Sequence, residues 1–280
     1  MNRNGNRTGS KPLESGFPPL LLIVLEGKGG VAKSVTADAA HYCFSSLGYV
    51  TLAAESDTTN SIMSSTHDDV VFVSAGKAGW HTTIGVHLQR MGHPGGADVI
   101  VFDTGARDEV HVRAKLDYFA RTMAAVGGQV LVIRPITTSG SAQRNAIDFA
   151  MSTAGSAIAT VFMQVRAQGR TEEHFTRWEA TGSLRDAKQV GAVDTWIDDL
   201  GVEEADEAVA LGLSFADVAA ENFARAGEDE SEAKSYFDEA KVLWFQDWLE
   251  EQKARWLPAF RQALANRRVD GTPLALEAAP

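Results

Sequence analysis

The stretch of the chain that decides its fold is LLIVLEGKGGVAKS, residues 21–34. An apolar run leads into a glycine-rich loop that carries two lysines, and a serine follows the second lysine. Glycines allow backbone N–H groups to converge on an anion without Cβ atoms in the way. The order of these residues therefore predicts a strand, a phosphate-binding loop and a helix, with ATP as the expected nucleotide.

Each residue of this loop has a predicted role. The ammonium of Lys33 would reach the terminal phosphates at the start of a helix, and the Ser34 hydroxyl would bind Mg²⁺. Ala32 stands where the G-x-x-x-x-G-K-[ST] pattern has its last glycine, and a left-handed backbone there would cost about 1 kcal/mol. A strand–turn–helix with incidental lysines is the alternative. The predicted nucleotide-binding residues of the loop are Gly27, Lys28, Gly29, Gly30, Val31, Ala32, Lys33 and Ser34.

The first lysine of the loop distinguishes it from an ordinary phosphate-binding loop and indicates a particular family. The segment KGGVAKS, residues 28–34, resembles the deviant phosphate loop of the ParA/MinD ATPases, whose usual form is KGGVGK followed by Ser or Thr. In that family the early lysine reaches across an ATP-bound dimer to the partner's phosphates. The resemblance implies that Lys28 acts in trans and that Lys28 and Lys33 are both catalytic, whereas the simpler alternative is a solvated surface lysine.

Two acidic segments match the same family. Residues 97–105 form an apolar run that ends in Asp103 and Gly105, in the form of a Walker B segment. Asp103 would hold Mg²⁺ through water, and the Gly105 N–H would approach the γ-phosphate. The resemblance also implies that Asp57 positions the attacking water or a magnesium-bound water, with Glu55 where aspartate is usual. Each acid alone could instead be a helix cap or a surface carboxylate.

Further strands are predicted at residues 129–135 and 158–166, the second being the last clear strand in the chain. By resemblance Pro135 lies near the nucleotide. The asparagine with which relatives bind adenine is absent, so Arg166 or Gln164 is expected to contact the base. Helices are predicted at 33–47, 106–125 and 141–152. This alternation predicts an α/β fold with a doubly wound, mostly parallel sheet, helices on both faces and the nucleotide at the carboxyl ends of the strands.

The remaining sequence suggests how the chain is organised. Residues 1–16 are expected to form a disordered arm, 17–220 the ATPase domain, 221–270 a helical appendage packed on it, and 271–280 a loose tail. Within 167–220, apolar side chains predict a small helical layer over the sheet. These side chains are Trp178, Leu184, Val190, Val193, Trp196 and Ile197.

The appendage contains an aromatic helix with two possible roles. Trp244 and Trp248 are one helical turn apart, and Phe245 and Leu249 form a second apolar pair. Pro258 should start a new helix or kink this one. The helix would pack on the ATPase core, or it would offer tryptophan anchors to a protein partner or a second subunit.

Charge and composition narrow the choice of partners. The formal net charge of −11 over 280 residues disfavours nonspecific DNA binding, which depends on Lys and Arg. The single cysteine, Cys43, is expected in the core, which argues against a shared iron–sulfur cluster. His81, His87 and His93 match no metal-ligand spacing. Local basic patches remain possible at two sets of residues: Arg3, Arg7 and Lys11, and Arg261, Arg267 and Arg268.

Together these patterns predict a cytoplasmic ATPase of the ParA/MinD type that binds ATP and Mg²⁺. The apolar run 17–25 is too short to span a bilayer, and no membrane partner is expected. The resemblance implies an ATP-bound homodimer with a protein partner, acting in plasmid partition, plasmid stability or conjugative transfer. Two alternatives remain: an ATP-binding scaffold with little hydrolysis, and a small-molecule ligase or kinase on the same fold.

Overall fold

A computed structural model describes residues 16–27, 29–57, 62–167 and 170–267 of the chain. Several predictions fall on residues outside these ranges, among them the role of Lys28 and most of the N-terminal arm. The C-terminal tail, 271–280, lies outside them as well. So do four of the basic residues considered for DNA binding, namely Arg3, Arg7, Lys11 and Arg268.

Seven parallel strands form one sheet in the order β3-β2-β4-β1-β5-β6-β7. The strands are β1 Leu20–Val24, β2 Thr51–Glu55, β3 Val70–Phe72, β4 Val99–Asp103, β5 Gln129–Ile136, β6 Ile158–Arg166 and β7 Val193–Asp198. The apolar strand β1 is central, and its five residues are all buried. The prediction of a parallel, doubly wound sheet is confirmed.

Helices cover both faces of the sheet. They are α1 Lys33–Ser45, α2 Ile62–Thr66, α3 Trp80–Arg90, α4 Glu109–Arg113, α5 Leu116–Ala125, α6 Gly140–Ser152, α7 Thr176–Glu179, α8 Gly182–Gln189, α9 Val202–Ala210, α10 Phe215–Ala219, α11 Glu230–Tyr236 and α12 Glu239–Ala265. Short 3₁₀ segments lie at Glu172–Phe175 and Phe223–Asp229. One core joins the sheet to α1, α10 and α12, and another joins it to α3 and α5.

The structure corrects the expected last strand, part of the expected helical layer and one predicted helix. The strand at 158–166 is not the last, because Val193, Trp196 and Ile197 belong to β7 rather than to a helical layer. The predicted helix 106–125 is divided into α4 and α5. Trp178 and Leu184 do form a helical layer, which packs on Phe162 of β6.

Helix α12 lies against the body of the protein. Phe245, Trp248 and Leu249 are buried, and the Trp248 indole N–H donates to the Asp198 carbonyl at the end of β7, at 3.2 Å. The helix continues through Pro258, which lies on its exposed side, where the carbonyl that loses its N–H partner can be solvated. Trp244 remains 37% exposed. Core packing thus accounts for most of the aromatic residues of α12.

Cys43 of α1 is fully buried, as expected. Within the described ranges, no helix has the length and apolar character needed to cross a bilayer.

Candidate nucleotide site

The strand register brings the predicted site residues to one edge of the sheet. Val24, the last residue of β1, lies opposite Asp103 of β4, and Asp103 lies opposite Glu55 of β2. The glycine-rich loop leaves β1 at this edge and returns as α1, which begins at Lys33. Three separate segments of the sequence therefore meet where the parallel strands end.

The loop is open, and its last turn is strained. Among the described residues, a Cβ atom at Gly29 or Gly30 would meet no heavy atom within 4 Å beyond its chain neighbours, which leaves room for an anion beside the loop backbone. Gly30 has a φ of 68° and Ala32 a φ of 55° with a ψ of 31°. Ala32 thus takes the left-handed conformation that glycine would adopt freely, which is the costly case of about 1 kcal/mol.

Asp103 is a buried carboxylate that lacks ordinary partners. Its side chain is inaccessible to solvent, and neither of its oxygens has a hydrogen-bond partner of good geometry within the described ranges. Burial raises the pKa of Asp103 to about 7, the nearby Ser34 hydroxyl and Lys33 ammonium oppose this rise, and Glu55 and Asp57 add to it. Such a group is suited to a cation that completes its coordination.

Glu55 is held by α2. Its Oε2 accepts a hydrogen bond from the Ser64 backbone N–H at 3.0 Å and another from the Ser64 hydroxyl. Its Oε1 is buried without a hydrogen-bond partner among the described residues. Burial raises the pKa of Glu55, the Ser64 hydrogen bonds oppose this, and the charge of Asp57 adds to it. The longer glutamate side chain is therefore fixed beside the site.

The loop after β4 is tied to both neighbouring strands. The Thr104 hydroxyl donates to the Val24 carbonyl at 2.7 Å, and the Gly105 N–H donates to the Ser56 hydroxyl at 3.1 Å. A Cβ atom at Gly105 would lie 2.7 Å from Asp108 Oδ2 and 3.3 Å from the Asp57 Cα. A side chain at Gly105 would therefore crowd Asp108 and the Asp57 backbone, which lies next to this loop.

A buried ion network below the loop was not predicted from the sequence. The Arg134 guanidinium of β5 donates to Glu26 at 2.9 Å and to Glu109 at 2.7 Å, and it lies over the Phe149 ring, 5.0 Å from its centre. Glu26 immediately precedes Gly27, and Glu109 begins α4. One side chain therefore connects the start of the loop with the helix after β4. An arginine inside an apolar strand was the sequence signal for such a network.

Pro135 and Arg166 lie further along the same edge. Pro135 is buried in β5, opposite Met163 of β6. The Arg166 guanidinium stacks on Trp196 at 4.3 Å and donates to Gln164 Oε1 at 3.0 and 3.2 Å. Both candidate base contacts thus bind each other, and a role for either of them, or for Pro135, in nucleotide binding remains a prediction.

These residues fit a magnesium nucleotide. The open loop and Lys33 can receive phosphate oxygens, and the unpartnered Asp103 oxygens can receive the charge or the water shell of a cation. No group of three or more His, Cys, Asp or Glu residues in the described ranges forms a metal cage.

No protein-family model and no curated protein matches the chain. Solved structures do resemble it. MinD of Pyrococcus horikoshii with Mg-ADP has 16% identity and a TM-score of 0.43, over 83% of this chain and 94% of its own. A variant of Cyanothece McdA in complex with ATP has 12% identity and a TM-score of 0.43, over 78% and 97%. A plasmid partition protein of Borrelia burgdorferi has 14% identity and a TM-score of 0.41, over 69% and 97%.

These structures are of the ParA/MinD type, the family that the KGGVAKS loop resembles. At TM-scores of 0.41 to 0.43, functional conclusions for this chain rest on its own residues.

Proposed function

We propose that this protein is a nucleotide-switched ATPase of the ParA/MinD type, which dimerises with ATP and acts in plasmid partition, plasmid stability or conjugative transfer. The observation that carries the proposal is the meeting of Lys33, Ser34 and Asp103 at the carboxyl ends of β1 and β4. Asp103 is fully buried there, and among the described residues its oxygens accept no hydrogen bond of good geometry, although the Ser34 hydroxyl and the Lys33 ammonium lie close enough to lower its pKa. The stability of the fold does not require a buried carboxylate of this kind beside an open glycine-rich loop.

The residues of the site divide the work of phosphoryl transfer. Lys33 and the backbone N–H groups at the start of α1 neutralise charge on the terminal phosphates. Ser34 and Asp103, with Asp57, would hold Mg²⁺, which supplies further charge neutralisation when bound. Asp57, beside the loop after β4, orients the attacking water. Lys28 would contribute from the partner subunit, and slow turnover without an activating protein is expected.

Two features bear on the partners. The net charge of −11 opposes nonspecific DNA binding. Arg267 is buried rather than exposed, and Arg261 lies over the Phe17 ring, 4.8 Å from its centre. Of the described part of the C-terminal basic set, Arg267 is therefore withdrawn from the surface, whereas Arg261 packs on Phe17 and stays exposed. We propose a cytoplasmic protein whose partners are a second copy and an activator or cargo adaptor.

The test compares wild type, Lys33→Ala and Lys28→Ala, with Lys115→Ala as a matched lysine control outside the loop. Nucleotide binding, phosphate release and oligomeric state are measured with ADP and ATP, in the presence and absence of DNA. We expect Lys33→Ala to lower turnover at least about 100-fold and to weaken nucleotide binding. Lys28→Ala should bind nucleotide but neither dimerise nor hydrolyse normally.

Normal dimerisation and hydrolysis by Lys28→Ala would reject the trans-lysine mechanism. Undiminished nucleotide binding by Lys33→Ala would reject the site itself.

A second candidate function is an ATP-dependent scaffold with little hydrolysis. The left-handed backbone of Ala32 and the anchoring of Glu55 by Ser64 favour it, because both distinguish this site from the family pattern. This candidate predicts nucleotide-dependent dimerisation without phosphate release, which the same measurements detect.

A further inference from the structure

Ser56 connects β2 with the loop after β4. It lies between Glu55 and Asp57, and its side chain is only 3% exposed. Its hydroxyl accepts a hydrogen bond from the Gly105 N–H at 3.1 Å and donates one to Asp108 Oδ2 at 2.6 Å. The hydroxyl thus bridges the two ends of the turn in which the Asp108 N–H donates to the Gly105 carbonyl at 2.9 Å.

The orientation of the hydroxyl follows from its single hydrogen. A serine hydroxyl has one donor and two acceptor lone pairs, and a carboxylate can only accept. The hydrogen is therefore committed to Asp108, in a charge-assisted bond, and a lone pair faces the Gly105 N–H. The hydrogen bond to Asp108 therefore keeps the Ser56 hydroxyl in the orientation in which it accepts from the Gly105 N–H.

We propose that the two hydrogen bonds of the Ser56 hydroxyl, with Gly105 and with Asp108, form a latch. While this latch is closed, it disfavours the binding of a nucleoside triphosphate. The inference rests on the proposed function and on the prediction from the sequence that the Gly105 N–H meets the γ-phosphate. A peptide unit has one N–H, and in this structure Ser56 takes it. A γ-phosphate therefore binds this donor only after the Ser56 hydrogen bond breaks, whereas a diphosphate leaves the latch closed.

The surrounding contacts confine the opening to a short segment. The Thr104 hydroxyl holds Val24, and the Ser56 N–H donates to the Asp103 carbonyl at 3.0 Å. Neither contact uses the Ser56 hydroxyl. Loss of the latch should therefore leave the ends of β2 and β4 in register and change only the turn from Gly105 to Asp108.

The experiment measures the affinities of Ser56→Ala for ADP and for the non-hydrolysable analogue AMPPNP, both with Mg²⁺, by calorimetry. We expect the preference for AMPPNP over ADP to rise about three- to tenfold, the value of one hydrogen bond, while ADP affinity stays within about twofold of wild type. Asp108→Asn should change the preference in the same direction by less. Ser65→Ala is the matched control, because the Ser65 hydroxyl bonds only within its own turn, to Ile62.

Hydrogen exchange of the Gly105 amide gives a second measurement that does not depend on nucleotide. The amide should exchange faster in Ser56→Ala than in wild type or Ser65→Ala, with unchanged protection of β2 and β4. An unchanged or lower preference for AMPPNP in Ser56→Ala, or unchanged exchange at Gly105, overturns the latch. If wild type binds ADP and AMPPNP, only the latch has failed; if it binds neither, the proposed function has failed as well.

Discussion

Asp103 and Arg134 are buried charged residues on the two strands that flank β1, and their surroundings are opposite. Arg134 has a carboxylate on each side, Glu26 at 2.9 Å and Glu109 at 2.7 Å, and an aromatic ring over its guanidinium. Asp103 has no hydrogen-bond partner of good geometry within the described ranges, and burial raises its pKa to about 7. The Arg134 charge is balanced by two carboxylates, although its Nε has no hydrogen-bond partner among the described residues, whereas Asp103 has only the nearby Ser34 hydroxyl and Lys33 ammonium to oppose the effect of burial.

Both residues lie at the same edge of the sheet, but Arg134 holds structural elements together, whereas Asp103 is proposed to bind a ligand. A buried ion paired with opposite charges fixes the elements that supply them, and removal of one member leaves the others uncompensated. A buried ion without partners weakens the free protein and becomes favourable only when a ligand supplies the opposite charge. Substitutions at the two positions should therefore change stability in opposite directions.

The largest effect is expected for Arg134→Leu. Loss of the guanidinium leaves Glu26 and Glu109 without their shared partner, so the free energy of unfolding should fall by about 3–5 kcal/mol in urea denaturation. Arg113→Leu is the control, because Arg113 lies over the same Phe149 ring at 5.3 Å but is 38% exposed. It should cost less than about 1 kcal/mol. If Arg134→Leu and Arg113→Leu lowered the free energy of unfolding equally, the buried ion network would be no more stabilising than a surface ion pair.

Asp103→Asn should act in the opposite direction. The amide removes a desolvated charge, so the nucleotide-free protein should gain about 1–3 kcal/mol in free energy of unfolding at pH 8. The stabilisation given by Mg-ADP should shrink, because it depends on ligand affinity. Asp98→Asn is the control just before the same strand, where the carboxylate accepts from the Val50 N–H at 2.8 Å. That variant should lose stability, and a loss in Asp103→Asn would contradict the comparison.

His41 is a half-buried histidine whose ionisation is also affected by its surroundings. Burial and the neighbouring His67 lower its pKa from 6.5 to about 4, and the charges of Asp38 and Asp217 oppose this. Between these pH values the unfolded chain binds the His41 proton more readily than the folded protein does, so His41 should contribute a loss of about 1–2 kcal/mol in stability from pH 7.5 to pH 5. The raised pKa of Asp103 acts in the opposite direction over the same range.

His41→Gln should remove this loss, so that acidification lowers its free energy of unfolding less, or raises it more, than in wild type. His93→Gln, at an exposed position, should respond to pH as wild type does. Denaturation curves at the two pH values measure the effect. The same pH dependence in both variants would exclude His41 as its source.

The smallest effect concerns strain rather than charge. Ala32→Gly should raise the free energy of unfolding by about 0.5–1 kcal/mol, because glycine accepts a left-handed backbone without steric cost. Glu221, with a φ of 53°, is a matched position away from the site, and Glu221→Gly should gain a similar amount. A loss in Ala32→Gly alone would show that the Ala32 methyl group contributes to packing of the loop.

The sequence predicted the parts of the fold that are long and apolar. β1, β4, β5 and β6 are buried throughout or nearly so, and a continuous apolar run reveals such strands. β3 has only three residues, and the burial of β7 alternates, as at a sheet edge with one covered face. These two edge strands carry too weak a signal to be recognised without their neighbours.

The residues of the candidate site also differ in how well the sequence predicts them. Lys33, Ser34 and Asp103 each follow a recognisable strand, so their meeting could be predicted from parallel topology. The partners of Arg134 come from three different segments, and Ser56 meets Gly105 from 49 positions away in the chain. Nothing local in the sequence signals such contacts, because they depend on the register of β2, β4 and β5.

The position of Cys43 has a practical consequence. It is the only cysteine of the chain, it is fully buried on α1, and burial raises the pKa of its thiol. A thiol reagent can therefore reach it only when α1 separates from the sheet and from α12. The labelling rate of the unmodified protein would report how often α1 detaches, and slower labelling in the presence of Mg-ATP would measure how firmly a bound nucleotide holds the helix in place.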